Sequence, residues 1–302
     1  MKKIKLFYDI EPPFNATEFP WINTYFDFVK FNKTQSFCKN DCVIVKSQQY
    51  NSAFVDFLLE TDYKIIIEDL IDPMFVDNPN SRCFLLQNFL WFWYQDQATF
   101  KKMSLDTYRP DKTYKKTALC PMRIQRWFRD QLYERLQPWH NDMIISYNAQ
   151  GKFLPADKFN NDHTTQDRYF NPSWYNDTYF SIAVETVVDG DPLFVTEKTF
   201  KPIAFYHPFV LIAQPSALCK LKSSGFVTYE NLFNESYDLE SDFGKKMSAI
   251  IKNIKDFQHV PYDNLTLEKI QHNYNRFWDE QLVKKRMLAE IVEPILNYAE
   301  TR

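Results

Sequence analysis

Short apolar runs alternate with helix-compatible stretches along this chain, and that alternation narrows the fold more than any other feature. Ile4 to Tyr8, Cys42 to Lys46 (CVIVK) and Tyr63 to Ile67 (YKIII) read as strands, with a helix expected at Ser52 to Glu60 between the second and third. Parallel strands need crossover connections, so β and α in alternation predict a parallel sheet covered by helices. Cys83 to Gln95 (CFLLQNFLWFWYQ) is apolar throughout, and periodicity leaves it open between a buried strand and a helix.

A second series follows Asp106 to Lys116 (DTYRPDKTYKK), a polar, proline-containing, aperiodic stretch expected to link two domains. Thr117 to Cys120, Met143 to Tyr147, Tyr179 to Glu185 and Phe209 to Ala213 are strand-like. Arg126 to Leu136 reads as a helix, with Phe128, Leu132 and Leu136 at matching spacing, and another helix begins near Glu197. Lys152 to Asn176 reads as a polar, aromatic loop, and Leu265 to Glu300 as helical with a break at Pro294.

Composition removes several classes. The 302 residues are 45% hydrophobic and 25% charged, ordinary for a globular protein and unlike a disordered or collagenous one. A net charge of -3 provides no global basic field to recruit nucleic acid from a distance. The five cysteines (Cys38, Cys42, Cys83, Cys120, Cys219) are odd in number and lack C-x-x-C spacing, which fits a reduced, cytoplasmic compartment. The apolar run after Met1 stops at Asp9, too short for a signal peptide or a membrane span. Aromatic residues reach 18% against only 4 glycines, a bias of the kind that AT-rich coding produces.

The segment richest in chemistry runs from Tyr179 to Pro202. A buried strand ends in the carboxylate Glu185, a short turn follows, and Thr196-Glu197-Lys198 opens a helix. At the carboxyl end of a parallel strand, a helix N-terminus offers free N–H groups to anions, and Lys198 adds a charge suited to phosphate. Glu197 could accept hydrogen bonds from ribose hydroxyls or orient the lysine. The plainer alternative makes Thr196 an N-cap, Glu197 a favourable charge for the helix dipole and Lys198 a solvated side chain. Arg123 and Arg126, beside Arg129, could cradle a phosphate or form a solvated face. Asp189-Gly190-Asp191 reads as a turn before Pro192 rather than a metal-binding D-x-D. The histidines show no i, i+4 spacing, so no metal site is expected. Leu90 to Tyr94 (LWFWY) suits a core, though exposed rings there could stack on a sugar or a base.

This stretch resembles the donor-binding motif of the α1,3-fucosyltransferase family and of related glycosyltransferase-like phage proteins. Their members carry a strand ending F-E-N, a short loop, Y-[IV]-T-E-K at a helix start, and then a Pro-led strand. The corresponding residues here are Val184-Glu185-Thr186, Phe194-Val195-Thr196-Glu197-Lys198 and Pro208-Phe209-Val210. Arg129 to Leu136 resembles the family's arginine-led helix upstream, and the likeness covers roughly Lys115 to Asp238. Thr186 replaces the family's asparagine, Phe194 its tyrosine, and Tyr206-His207 an Ala-Gly pair. Thr196 to Pro202, with Glu235-Ser236-Tyr237-Asp238, is closer to the phage type.

The resemblance implies a GT-B fold, two Rossmann-like domains facing across a cleft, and inverting transfer with no bound metal or other cofactor. It places Lys198 and Arg129 on the donor diphosphate, Glu197 on the ribose and Glu185 at the pocket edge; Thr196 and Phe194 of the same motif, and Arg126 from the charge beside Arg129, are the further donor-site candidates. The domains expected are an acceptor-side domain over residues 1–110, a nucleotide-sugar-binding domain over 111–264, and helices over 265–302 packing across both. A general base is then expected from the acceptor side, where Glu11 follows the first strand and Glu68 the third. The expected partners are a nucleotide-sugar donor and an acceptor that is either a hydroxymethylated base in phage DNA or a glycan. A different class, a non-catalytic nucleotide-binding or assembly protein on the same scaffold, stays open at this stage.

Overall fold

The computed structural model describes residues 3–8, 21–30, 41–46, 64–68, 82–85, 88–102, 104–152, 171–190 and 193–300. The helix expected at Ser52 to Glu60 and the candidate base Glu11 lie outside them. Internal contacts gather the chain into two units, Gln95–Glu280 and Met1–Tyr94 together with Gln281–Arg302.

The first unit in sequence holds a five-stranded parallel sheet. Its strands are β1 (Ile4–Tyr8), β2 (Phe26–Lys30), β3 (Cys42–Lys46), β4 (Lys64–Glu68) and β5 (Arg82–Leu85), in the order β2-β1-β3-β4-β5. This is a doubly wound order, which reverses between β1 and β3. The strand β2 was not expected from the sequence, because Phe26-Asp27-Phe28-Val29-Lys30 offers only a short alternation with no turn signal beside it. The ambiguous apolar stretch divides, with β5 taking its start and helix α1 (Asn88–Lys102) the rest. Leu90, Trp91 and Trp93 are buried, so most of the aromatic run is core.

The second unit holds a four-stranded parallel sheet in the order β7-β6-β8-β9. Here β6 is Lys116–Met122, β7 Met143–Tyr147, β8 Thr178–Val184 and β9 Phe209–Ile212. Its helices are α2 (Trp127–Leu136), α3 (Pro172–Asp177), α4 (Glu197–Ala204), α5 (Ala217–Ser223), α6 (Phe243–Asp256) and α7 (Asn264–Phe277). All seven residues of β8 are buried, as a strand covered on both faces requires. Its polar groups are satisfied from within: the Thr178 hydroxyl donates to Trp174 O at 2.6 Å, the Ser181 hydroxyl lies 2.7 Å from His207 Nδ1, and the Thr178 backbone carbonyl 3.0 Å from His207 Nε2. Burial, with the Lys112 charge nearby, holds His207 well below its ordinary range and therefore neutral.

Two expectations shift. The end of the supposed Lys152 to Asn176 loop is helical, because Pro172 takes the first position of α3 and the Asn171 side chain caps it by accepting from Ser173 N–H. The C-terminal helical stretch breaks after α7 rather than at Pro294. It resumes as α8 (Glu280–Met287), passes through a wide π turn at Leu288–Val292, and continues as α9 (Glu293–Glu300). Pro294 sits in the first turn of α9, where no N–H is required, and the turn before it widens so that Glu293 N–H reaches back to Leu288 O. No described helix is long and apolar enough to cross a membrane.

Scarce glycine shows in the backbone. Ser104, Tyr114, Tyr206 and Ser216 all adopt left-handed φ, between 49° and 69°, a conformation that costs a side-chain-bearing residue about 1 kcal/mol or more. Two of the four recover contact through stacking, Tyr206 on Tyr274 at 3.9 Å and Tyr114 on Tyr179 at 4.5 Å between ring centres. Gly225 is the glycine whose replacement strains the fold most directly. Its φ is +82°, and a Cβ there would lie 2.3 Å from Cζ of Arg276, whose Nε donates to Ser224 O at 2.7 Å. Gly225→Ala should therefore destabilise the protein by about 1–3 kcal/mol. A urea unfolding midpoint equal to that of the wild type would contradict the assignment.

Candidate donor site

Glu185 stands one residue past β8 and is completely buried. Each of its polar groups reaches a different element. The N–H donates to Ile212 O of β9 at 2.9 Å, and the carbonyl accepts from Arg129 Nη2 of α2 at 3.2 Å. The carboxylate accepts from Thr196 N–H (2.9 Å), Thr196 Oγ1 (2.5 Å) and Thr199 Oγ1 (2.6 Å). A buried carboxylate thus binds the start of α4 to the end of β8. Burial raises its pKa; the Lys198 charge and the two threonine hydroxyls oppose that rise without cancelling it.

Thr196 is the N-cap of α4, as its position in the sequence indicates, and its hydroxyl also takes a 3.2 Å hydrogen bond from Lys198 Nζ. Lys198 and Glu197 form an ion pair on the first turn. Burial alone would raise the Glu197 carboxyl, yet the Lys198 and Lys201 charges and the hydrogen bonds from Lys198 and Thr196 hold it at about 2. Glu197 is therefore ionised throughout the neutral range. The contribution is stabilising above the ordinary carboxylate range and is lost as pH falls toward 2.

The loop entering α4 is tied down by Gln214, which follows β9 closely. Its Oε1 accepts from Phe194 N–H at 2.6 Å, and its Nε2 donates to Gly190 O at 2.7 Å. Phe194 is buried, and Gly190 turns the chain with φ +75°. No group of His, Cys, Asp and Glu suited to a metal ion occurs among the described residues.

The order of this sheet reverses at β6, whose neighbours are β7 and β8, so the crevice expected to hold a ligand opens at the ends of β6 and β8. After Met122 the chain carries Arg123 and Arg126 into the N-terminus of α2. Arg126 is the N-cap residue and makes no side-chain cap bond. Arg129 lies beneath, only 4% exposed, with Nη1 on Ile124 O at 2.9 Å and Nη2 on the Val184 and Glu185 carbonyls. Its buried Nε has no hydrogen-bond partner among the described residues. Burial and then the Arg126 charge lower its pKa, while Glu185 raises it.

The sequence-derived donor residues Arg129, Glu185, Thr196, Glu197 and Lys198 thus sit around the end of β8 and the start of α4, joined by hydrogen bonds. Glu68 ends β4 in the other sheet. Sequence reasoning passed over Thr199 and Gln214, although each carried a signal: Thr199 is one turn past the N-cap, and Gln214 follows the strand FVLI.

No protein-family model matches the chain, and no curated protein does. Among solved structures, the chain aligns with the crystal structure of an α1,3-fucosyltransferase with GDP-fucose. The alignment has 9% identity, spans 92% of this chain and 90% of that one, and gives a TM-score of 0.36. So loose a likeness carries neither fold nor function, and the site stands on its own geometry.

Two substitutions separate the roles of Glu185. Glu185→Gln can keep the network, with its amide donating to a reoriented Thr196 hydroxyl, whereas Glu185→Ala strands three donors and should cost about 2–4 kcal/mol. A carboxyl whose folded pKa is raised stabilises the fold fully below its unfolded pKa and loses that contribution as pH rises through the folded value. Glu185→Gln should therefore gain on the wild type as pH rises through and above the ordinary carboxylate range. Urea midpoints across that range check it, and a constant difference would refute the assigned shift.

Proposed function

We propose that this chain is a glycosyltransferase, moving a sugar from a nucleotide-sugar donor to an acceptor hydroxyl, with the donor held by the Gln95–Glu280 unit. The Glu197–Lys198 pair carries the reading. An ionised carboxylate and an ammonium share the first turn of a helix that a buried carboxylate fixes to the end of a parallel strand. In this reading Lys198 and Arg126 take the diphosphate, Arg129 adds charge from beneath, and Glu197 accepts from the ribose hydroxyls. Thr196 holds Lys198 in place, and Phe194 backs the pocket from the core.

The step then needs little chemistry from this unit. The acceptor oxygen attacks the anomeric carbon, the bond from that carbon to the diphosphate oxygen breaks, and the leaving diphosphate keeps the electron pair. Positive groups already in place stabilise that charge, the role a bound cation has in other transferases. The acceptor's proton passes to a carboxylate, for which Glu11 and Glu68 are the candidates. The order of the five-stranded sheet reverses at β1, and Glu11 follows β1 in sequence. The configuration at the anomeric carbon inverts.

Calorimetry with a panel of nucleoside diphosphates tests the donor site. The wild type should bind at least one of them, and Lys198→Ala should weaken that binding by about 10- to 100-fold. Binding of none, or binding unchanged in Lys198→Ala, would sink the proposal. Mass spectrometry after incubation with mixed nucleotide sugars, and with either hydroxymethylcytosine DNA or oligosaccharides, identifies sugar and acceptor together. A binding protein without catalysis would yield no product and release no free sugar.

A further inference from the structure

Two of the large hydrophobic side chains left exposed among the described residues lie in one short stretch, Ile124 (56%) and Trp127 (50%). That stretch leaves β6 at the crevice where the strand order reverses, and its remaining side chains include Arg123 and Arg126. The indole is not loosely placed. Trp127 meets the half-buried Phe243 edge to face at 4.7 Å and the buried Phe128 at 5.7 Å, so two neighbouring rings set its tilt while about half of it stays accessible.

We infer that Trp127, with Ile124 and the flanking guanidiniums of Arg123 and Arg126, is the platform that receives the nucleobase of a nucleoside diphosphate. The inference rests on the donor-site reading and adds to it the group that holds the base. A held, half-exposed indole suits a flat heteroaromatic ring, because every base presents a π face and stacking needs no particular hydrogen-bond pattern. The charge around it selects for an anion attached to that ring. Arg126 lies close enough for its charge to be felt at Arg129, and the unpartnered Nε of Arg129 lies buried beneath the same stretch. A nucleotide has an aromatic part and an anionic part, and this stretch carries residues chemically complementary to each.

The experiment compares the full-length wild type with Trp127→Ala, Trp127→Phe and Lys198→Ala, by calorimetry against nucleoside diphosphates and against inorganic pyrophosphate. Trp127→Ala should weaken the nucleoside diphosphate by about 5- to 100-fold, leave pyrophosphate binding unchanged, and be largely rescued by Trp127→Phe. Lys198→Ala should weaken both ligands. Equal loss of both ligands in Trp127→Ala would show a structural role and overturn the inference. So would a nucleoside diphosphate bound as tightly by Trp127→Ala as by the wild type while Lys198→Ala loses it, a result that leaves the donor site standing. If the wild type binds no nucleoside diphosphate, the donor site itself falls and the platform with it. Circular dichroism of each variant, matched to the wild type, keeps these outcomes apart from misfolding.

Discussion

Everything at the candidate site depends on a single buried carboxylate. Glu185 contributes a backbone donor to β9, a backbone acceptor to α2 and a side-chain acceptor pair to α4, all without exposure to solvent. An ionised carboxyl in such a place is costly unless hydrogen bonds and a nearby cation compensate it. Thr196, Thr199 and the Lys198 charge offset part of that cost. The same groups that make Glu185 tolerable therefore fix where α4 begins. The position of the Glu197–Lys198 pair follows from the solvation needs of a residue that does not itself have to touch a ligand.

The sheet order supplies the rest of the geometry. A parallel strand flanked by neighbours whose connections run in opposite directions leaves a crevice at its carboxyl end, and β6 is that strand in the second unit. Its following stretch places like charges side by side. Burial and then the nearby Arg126 charge lower the Arg129 pKa. Arg129 is also stitched to the Ile124, Val184 and Glu185 carbonyls, so it joins the ends of β6 and β8 as well as charging the space above them. One side chain there has a mechanical and an electrostatic role together.

A protein with 4 glycines and 28 phenylalanines must solve its turns and its core differently from most. Left-handed φ falls on serines and tyrosines as well as on glycines, and ring stacking offsets part of the backbone cost where tyrosines are used. Phe180, Phe233 and Phe257 meet one another at 4.8 to 5.9 Å, so the aromatic excess is largely structural. Trp127 departs from that pattern, because its ring is held by the aromatic core but not covered by it.

By itself the sequence determined the α/β class of the fold and the capped start of α4, because both are local. Alternating apolar runs dictate strands whose backbone needs parallel partners, and Thr196 ahead of Glu197 and Lys198 dictates a capped helix start with a basic neighbour. What it could not decide depended on residues far apart in the chain. Phe26 to Lys30 became a strand by pairing with β1, a gain that no pattern within five residues announces. Glu185 became a hub only once β9, α2 and α4 converged on it. Gln214 acquired its role by reaching a loop some twenty residues upstream. Arg129 reads in sequence as a charge at the start of a helix, and only the tertiary structure buries it on backbone carbonyls. Hydrogen-bond satisfaction inside a protein is settled between elements, so the neighbours that decide it become visible only when the sheet is assembled.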